Sequence, residues 1–256
     1  MRPLLIGVSA RIYMPGTPGI NVSGIWTKNL HYLEQSVAHW VLSGHAMAVM
    51  IPAVTKGSIV TRSDLDLDDY ANTLDGLVLQ GGNDVAPETY GETPLHPDWA
   101  GDRVRDRYEI ELIDAFVRRR QAGVRHLPRP AIAQRDRSAA RCCQDIATQR
   151  PASRAHRDGS AFERHFHGIE LVQASRLAQL YPGVPRPQST RIHHQAIKDL
   201  APGFAVEACC PDDGMIEAVR RAGRFATWPR VQWHPEFHIR GDPDEASTTR
   251  RCCATS

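Results

Sequence analysis

A chain of 256 residues with a formal net charge of +2 and a charged fraction of 23% can bury a substantial core and lacks the basic excess of a nucleic-acid binder. Its opening apolar run, Leu4 to Val8, is too short for a signal h-region or a membrane span, and nothing later reaches such a length, so a cytoplasmic protein with no membrane and no nucleic-acid partner is expected. Its six cysteines stand as three adjacent pairs, Cys142-Cys143, Cys209-Cys210 and Cys252-Cys253, a spacing that fits neither a zinc site nor a secreted disulfide framework, and neither is assigned.

Residues 3–10 are apolar on both faces, as in a buried strand of a parallel sheet. Arg11 to Gly24 is a loop rich in Gly and Pro. From Leu30 to Leu42 apolar residues recur at helical spacing (Leu33, Val37, Trp40, Val41), Gly44 supplies a stop, and Ala46 to Pro52 is a second strand. Strand, helix and strand in that order imply a right-handed crossover, hence a parallel sheet with helices on its faces. Asp64 to Leu74 follows as a short acidic helix.

A third strand, Leu74 to Gln80, runs straight into Gly81-Gly82-Asn83-Asp84. Two glycines at the C-terminal end of a parallel strand can turn bare N–H groups outward, where open α/β sheets bind ligands. Such amides could stabilise an oxyanion, and the same four residues also fit a plain tight turn. Asp102 to Arg120 is a patterned helix with Tyr108, Leu112, Ala115 and Phe116 on one face. Arg103, Arg105, Asp106, Arg107 and Glu109 crowd its first turns, as a carboxylate clamp or as a solvated ion-pair network.

Residues 165–172 read as a strand, and Ser189 to Ile192 as another that leads into His193-His194-Gln195. His165 and His167 have metal-like spacing on one strand face, with no third ligand in view. Near the end, Val231-Gln232-Trp233 closes a short strand, Pro235 stops the ladder, and His234 and Glu236 remain two residues apart at the rim. A histidine titrates near neutral pH, and a carboxylate on its other ring nitrogen fixes tautomer and orientation. The pair could activate a nucleophile.

Taken in order, Leu79-Gln80-Gly81-Gly82-Asn83-Asp84-Val85, Arg105-Asp106-Arg107-Tyr108-Glu109, His193-His194-Gln195, Asp213-Gly214-Met215-Ile216-Glu217-Ala218 and Val231-Gln232-Trp233-His234-Pro235-Glu236-Phe237 resemble the class I glutamine amidotransferase-like hydrolases. The nearest branch is gamma-glutamyl-gamma-aminobutyrate hydrolase. The resemblance implies one α/β domain over residues 1–245, with a mostly parallel, flavodoxin-like central sheet and helices on both faces. It implies a Cys-His-Glu triad that hydrolyses a gamma-glutamyl amide through a thioester, as in putrescine and polyamine degradation. His234 would be the general base, Glu236 its orienter, and Gly81 and Gly82 the oxyanion donors. Asn83, Arg107, His193, His194 and Gln195 would face the substrate. No cofactor and no metal are implied, and the partners are a small gamma-glutamyl substrate and at most a second copy of the chain.

The family's nucleophile elbow, roughly Gly-Ile-Cys-Arg-Gly, should follow the helix that ends near Gly123, and it is absent. Residues 124–143 stand there instead, with Pro128, Pro130 and scattered arginines that suit a central strand poorly. GC-rich codons for Arg125 to Arg135, read one base later, spell Gly-Ile-Cys-Arg-Gly-Leu, and the shifted cysteine codon lies across Leu127. Ser138 to Cys143 read two bases later give Gly-Gly-Thr-Leu-Leu, and the tail 246–256 read the same way gives an amphipathic last helix. Shifted GC-rich codons also explain the arginine-rich stretch Arg118 to Arg164, so no nucleic-acid surface is assigned to it. The expectation is a frameshifted or decayed gamma-glutamyl amide hydrolase, inactive for want of its thiol. The alternatives are a non-catalytic pseudoenzyme that binds gamma-glutamyl ligands, and the glutaminase subunit of an amidotransferase.

Overall fold

The structure is a computed structural model that describes residues 2–15, 29–53, 65–119, 141–153, 166–184, 186–190, 193–222 and 230–237. Strand β1 (Leu4–Ser9) runs parallel to β4 (Ala46–Ile51) on one side and β5 (Gly76–Val78) on the other, giving the order β4-β1-β5. Successive side chains of a strand face opposite ways. Ile6, Val8 and Val78 accordingly join Val37, Trp40 and Val41 of helix α1 (Gln35–Ser43) in one core. Ile51, Leu77 and Leu79 join Tyr108, Leu112 and Phe116 of helix α3 (Arg103–Arg118) in another. The central sheet is therefore parallel, with a helix on each face, and the fold is α/β as expected.

Local chemistry sets the helix ends. The Asp102 carboxylate accepts from the Arg105 N–H at 3.0 Å and starts α3, and a reciprocal capping box between Asp66 and Asp69 starts α2 (Leu67–Thr73). Two stretches depart from the periodicity reading. Arg11–Tyr13 (β2) is a strand rather than a loop and pairs antiparallel with Leu30–Tyr32 (β3), so α1 begins at Gln35 and not at Leu30. The reason is a side chain from elsewhere: Gln80 donates to the Tyr32 carbonyl and accepts from the Glu34 N–H, both at 3.0 Å, which holds the segment extended. Residues 165–172 divide likewise, because Phe166–Gly168 (β7) pairs with Gln188–Thr190 (β9) while Glu170–Leu171 (β8) pairs with Phe204–Cys209 (β11).

The C-terminal half adds a four-stranded antiparallel sheet, β13-β12-β11-β8, in which β12 is Ile216–Arg221 and β13 is Arg230–Val231. Just past β13, Trp233 is buried in the α1-side core and carries the chain onto the sheet. Strand β6 (Arg141–Cys143) pairs antiparallel with β10 (Ala196–Asp199). Residues 124–140 and the tail 246–256 lie outside the described residues, and with them Leu127, Cys252 and Cys253. Among the described residues no helix is long and apolar enough to cross a membrane.

Candidate active site

Anchored by buried Trp233, the chain enters a single helical turn at Pro235–Phe237. There His234 Nδ1 lies 2.8 Å from Glu236 Oε1, and the imidazole stacks on Phe237 with centroids 5.3 Å apart. The Glu236 side chain is 2% exposed and that of His234 17%, so the carboxylate is enclosed while the ring reaches the surface of the site. With Nδ1 facing the carboxylate, Nδ1 carries the proton and Nε2 is the basic nitrogen.

The ring lies against the double-glycine turn. A Cβ built on Gly81 would sit 2.6 Å from His234 Cε1, and one built on Gly82 would run into Arg105 and come within 2.9 Å of Arg11. Gly82 also has φ +139°, a region where L side chains are strained. Each glycine is thus required for a separate reason: the imidazole for Gly81, two guanidinium groups and the backbone for Gly82. Among the described residues none accepts a hydrogen bond from the N–H of either glycine.

The loop beyond the turn is pinned to the His193-His194-Gln195 segment. The Gln195 amide pairs with the Val85 backbone through two 3.0 Å bonds, accepting from its N–H and donating to its carbonyl. His194 Nε2 meets the Asp84 carboxylate, with Asp145 3.8 Å from its other nitrogen. His193 Nε2 is 3.6 Å from Glu217 Oε2, and His167 Nε2 is 2.9 Å from Glu217 Oε1. Burial works against charge on the fully enclosed Glu217, yet His193 and His167 outweigh it and hold its carboxyl down at about 2.

Of the residues singled out in the sequence, His234, Glu236, Gly81, Gly82, His193, His194 and Gln195 are drawn to this face of the molecule through these contacts. Asn83 is exposed at the tip of the turn. Arg107 is not brought in: its side chain is 81% exposed and pairs with Glu111 at 3.0 Å on the outer face of α3. Arg105, together with Arg11, reaches the glycine turn instead, and Arg105 had a readable signal. Arg105, Glu109, Leu112 and Phe116 share the i, i+4, i+7, i+11 stripe that faces the core, whereas Arg107 falls off it. The contact between His167 and Glu217 was not read from the sequence, since nothing in either strand advertises a partner in the other.

Cys142, Cys143, Cys209 and Cys210 are free thiols. Burial pushes the Cys142 and Cys143 thiols upward, so neither is a thiolate at neutral pH. Cys143 and Cys210 pack with Ile146, Ala196 and Met215 as small apolar groups. Among the described residues no group of three or more His, Cys, Asp or Glu is placed to hold a metal ion.

Comparison with known proteins gives the chain its relatives. The family model described as Peptidase C26 matches residues 5–122 and 139–236. The chain is similar to the glutamine amidotransferase-like protein YvdE of Lactococcus lactis subsp. lactis, 28% identical over 226 residues that cover 86% of this chain and 88% of that protein. It is also similar to protein NtpR of Enterococcus hirae, 30% identical over 173 residues, 66% of this chain and 69% of that one. Among solved structures the glutaminase domain of Trypanosoma brucei CTPS with bound acivicin is similar at a TM-score of 0.54 and 11% identity, covering 98% of this chain and 91% of that one. At such identity the likeness is one of fold.

Proposed function

Because the chain belongs to the Peptidase C26 family, we propose that its ancestral reaction is hydrolysis of a gamma-glutamyl amide, of the gamma-glutamyl-gamma-aminobutyrate hydrolase kind, and that a shift of reading frame has removed the nucleophile. The observation that carries the first part is the His234-Glu236 pair seated against Gly81, beside two glycine N–H groups that no described residue uses. That is a base and an oxyanion cradle awaiting a thiol. In such a triad Nε2 takes the thiol proton as sulfur attacks the gamma-carbonyl, the glycine amides hold the developing oxyanion, and the proton passes to the departing amine. Water then cleaves the thioester by the same route.

The second part is supported by where the family match breaks. It stops at 122 and resumes at 139, and GC-rich codons chosen for the residues inside that interval can spell the missing elbow when read one base later. It is further supported by Cys142 and Cys143, which are 4% and 1% exposed and pair with Ile197 and Ala196, an apolar setting suited to the Leu-Leu of the shifted frame. Losing the nucleophile of a triad removes about six powers of ten in kcat. The polypeptide is accordingly expected to release no glutamate from gamma-glutamyl-gamma-aminobutyrate, and release abolished by iodoacetamide would overturn this. Sequencing the gene across codons 120–145 divides the remaining cases: an in-frame elbow gives an intact enzyme, and confirmation of the present residues gives a pseudoenzyme. With cradle and base kept and no elbow thiol, the second reading is a gamma-glutamyl-binding protein, recognised by saturable binding without turnover.

A further inference from the structure

We propose that Arg105, braced by Glu109 and assisted by Arg11, is a positioning residue that aims and polarises the Gly81 and Gly82 amides; the proposal rests on the oxyanion reading above. A pair of glycines has no intrinsic preference for one peptide orientation. Something outside the turn has to choose it. Arg105 Nη2 donates to the Gln80 carbonyl and, at 2.8 Å, to the Gly81 carbonyl, while Arg11 Nε donates to the Gly81 carbonyl at 3.0 Å. In a trans peptide the carbonyl and the following N–H point in opposite directions, and no described peptide is cis. Holding the oxygens of Gln80 and Gly81 toward the guanidinium groups therefore turns the N–H groups of Gly81 and Gly82 away from them. A carbonyl that accepts from a cation also makes the N–H of its own peptide a stronger donor.

The clamp is itself held from three sides. Arg105 and Glu109 are 2% and 0% exposed, and both Nε and Nη2 of Arg105 lie 3.0 Å from Glu109 Oε1. That same oxygen accepts from Ser9 Oγ at 3.0 Å, and Ser9 Oγ accepts from the Gln80 N–H at 3.1 Å. Glu34 secures Arg11 at 2.7 Å. An enclosed ion pair of this kind is seldom better for stability than apolar residues of equal volume. Its directional bonds to two carbonyls are what an apolar pair cannot reproduce.

The test compares Arg105→Met/Glu109→Met, which leaves no lone buried charge, and Arg105→Lys, which keeps the charge but loses the forked donor. Crystal structures of the ligand-free variants are expected to show at least one of the two peptides, 80–81 or 81–82, turned over in the double variant, and only one carbonyl held in the lysine variant. Both carbonyls keeping their direction in both variants overturns the proposal. Calorimetry with two probes gives a second readout. Both variants should lose about ten- to hundred-fold in affinity for a γ-phosphonate analogue of glutamate, a tetrahedral anion, and hold their affinity for planar gamma-glutamyl-gamma-aminobutyrate. Equal losses on both probes would reduce Arg105 to a structural role. If the unaltered chain binds neither probe, the gamma-glutamyl reading falls, and the peptide planes still decide the proposal.

Discussion

A single methyl group measures how closely the His234 imidazole is fitted to the turn. In Gly81→Ala the new Cβ would meet His234 Cε1 at 2.6 Å, so either the backbone of the turn or the imidazole has to move. The ring is held by Glu236 at 2.8 Å and by Phe237, and forced overpacking of this kind costs about 1–3 kcal/mol. Urea unfolding should show that loss as a lower midpoint with an unchanged slope; an unchanged midpoint would mean that the ring is not seated on the turn. The same scale shows where sequence reading succeeded and where it did not. His234 and Glu236 were legible because both partners lie two residues apart. Arg107 was named from the resemblance, whereas it is Arg105, on the core-facing stripe, that lies against the glycine turn, and a buried arginine runs against the usual reading of charge as solvent-facing.

Between elements, burial of charge ties strands that the sequence leaves unconnected. Glu217 of β12 joins His167 of β7 and His193 ahead of β10, and its carboxyl falls from 4.5 to about 2. A carboxylate with a depressed folded pKa contributes stability that is present above its unfolded value and is lost as pH falls through the folded value. The window here runs from about pH 4.5 down to about pH 2, and the stability lost across it is on the order of 3 kcal/mol. Denaturant titrations from pH 7 to pH 2 should show this slope, and Glu217→Gln should flatten it while lowering stability at pH 7. A mutant as acid-sensitive as the parent would remove Glu217 from the account. The βαβ crossover was legible because apolar periodicity is local. The β2-β3 ladder and the split of 166–171 were not, since a distant Gln80 and two different partner strands decide them.

On the scale of the whole molecule, the candidate site is assembled from parts far apart in sequence: the glycine turn after β5, Arg105 on α3 and the His234 turn after β13. All of them fall inside the two matched spans, 5–122 and 139–236. On the proposed reading, an elbow introduced in the interval between them is expected to meet the His234 imidazole and the Gly81-Gly82 amides. Replacing residues 125–143 by the shifted reading, Gly-Ile-Cys-Arg-Gly-Leu through Gly-Gly-Thr-Leu-Leu, also places leucine at the two buried positions of β6. The restored chain is expected to release glutamate from gamma-glutamyl-gamma-aminobutyrate. Removal of its elbow cysteine or His234 should each cost about four to six powers of ten, with little further loss when both are removed, because triad members act as a unit. A restored chain that folds, carries a reactive thiol and still leaves the amide intact would show that the cradle serves another acyl group. Comparable activity in the His234→Ala version would show that the thiol works without this base.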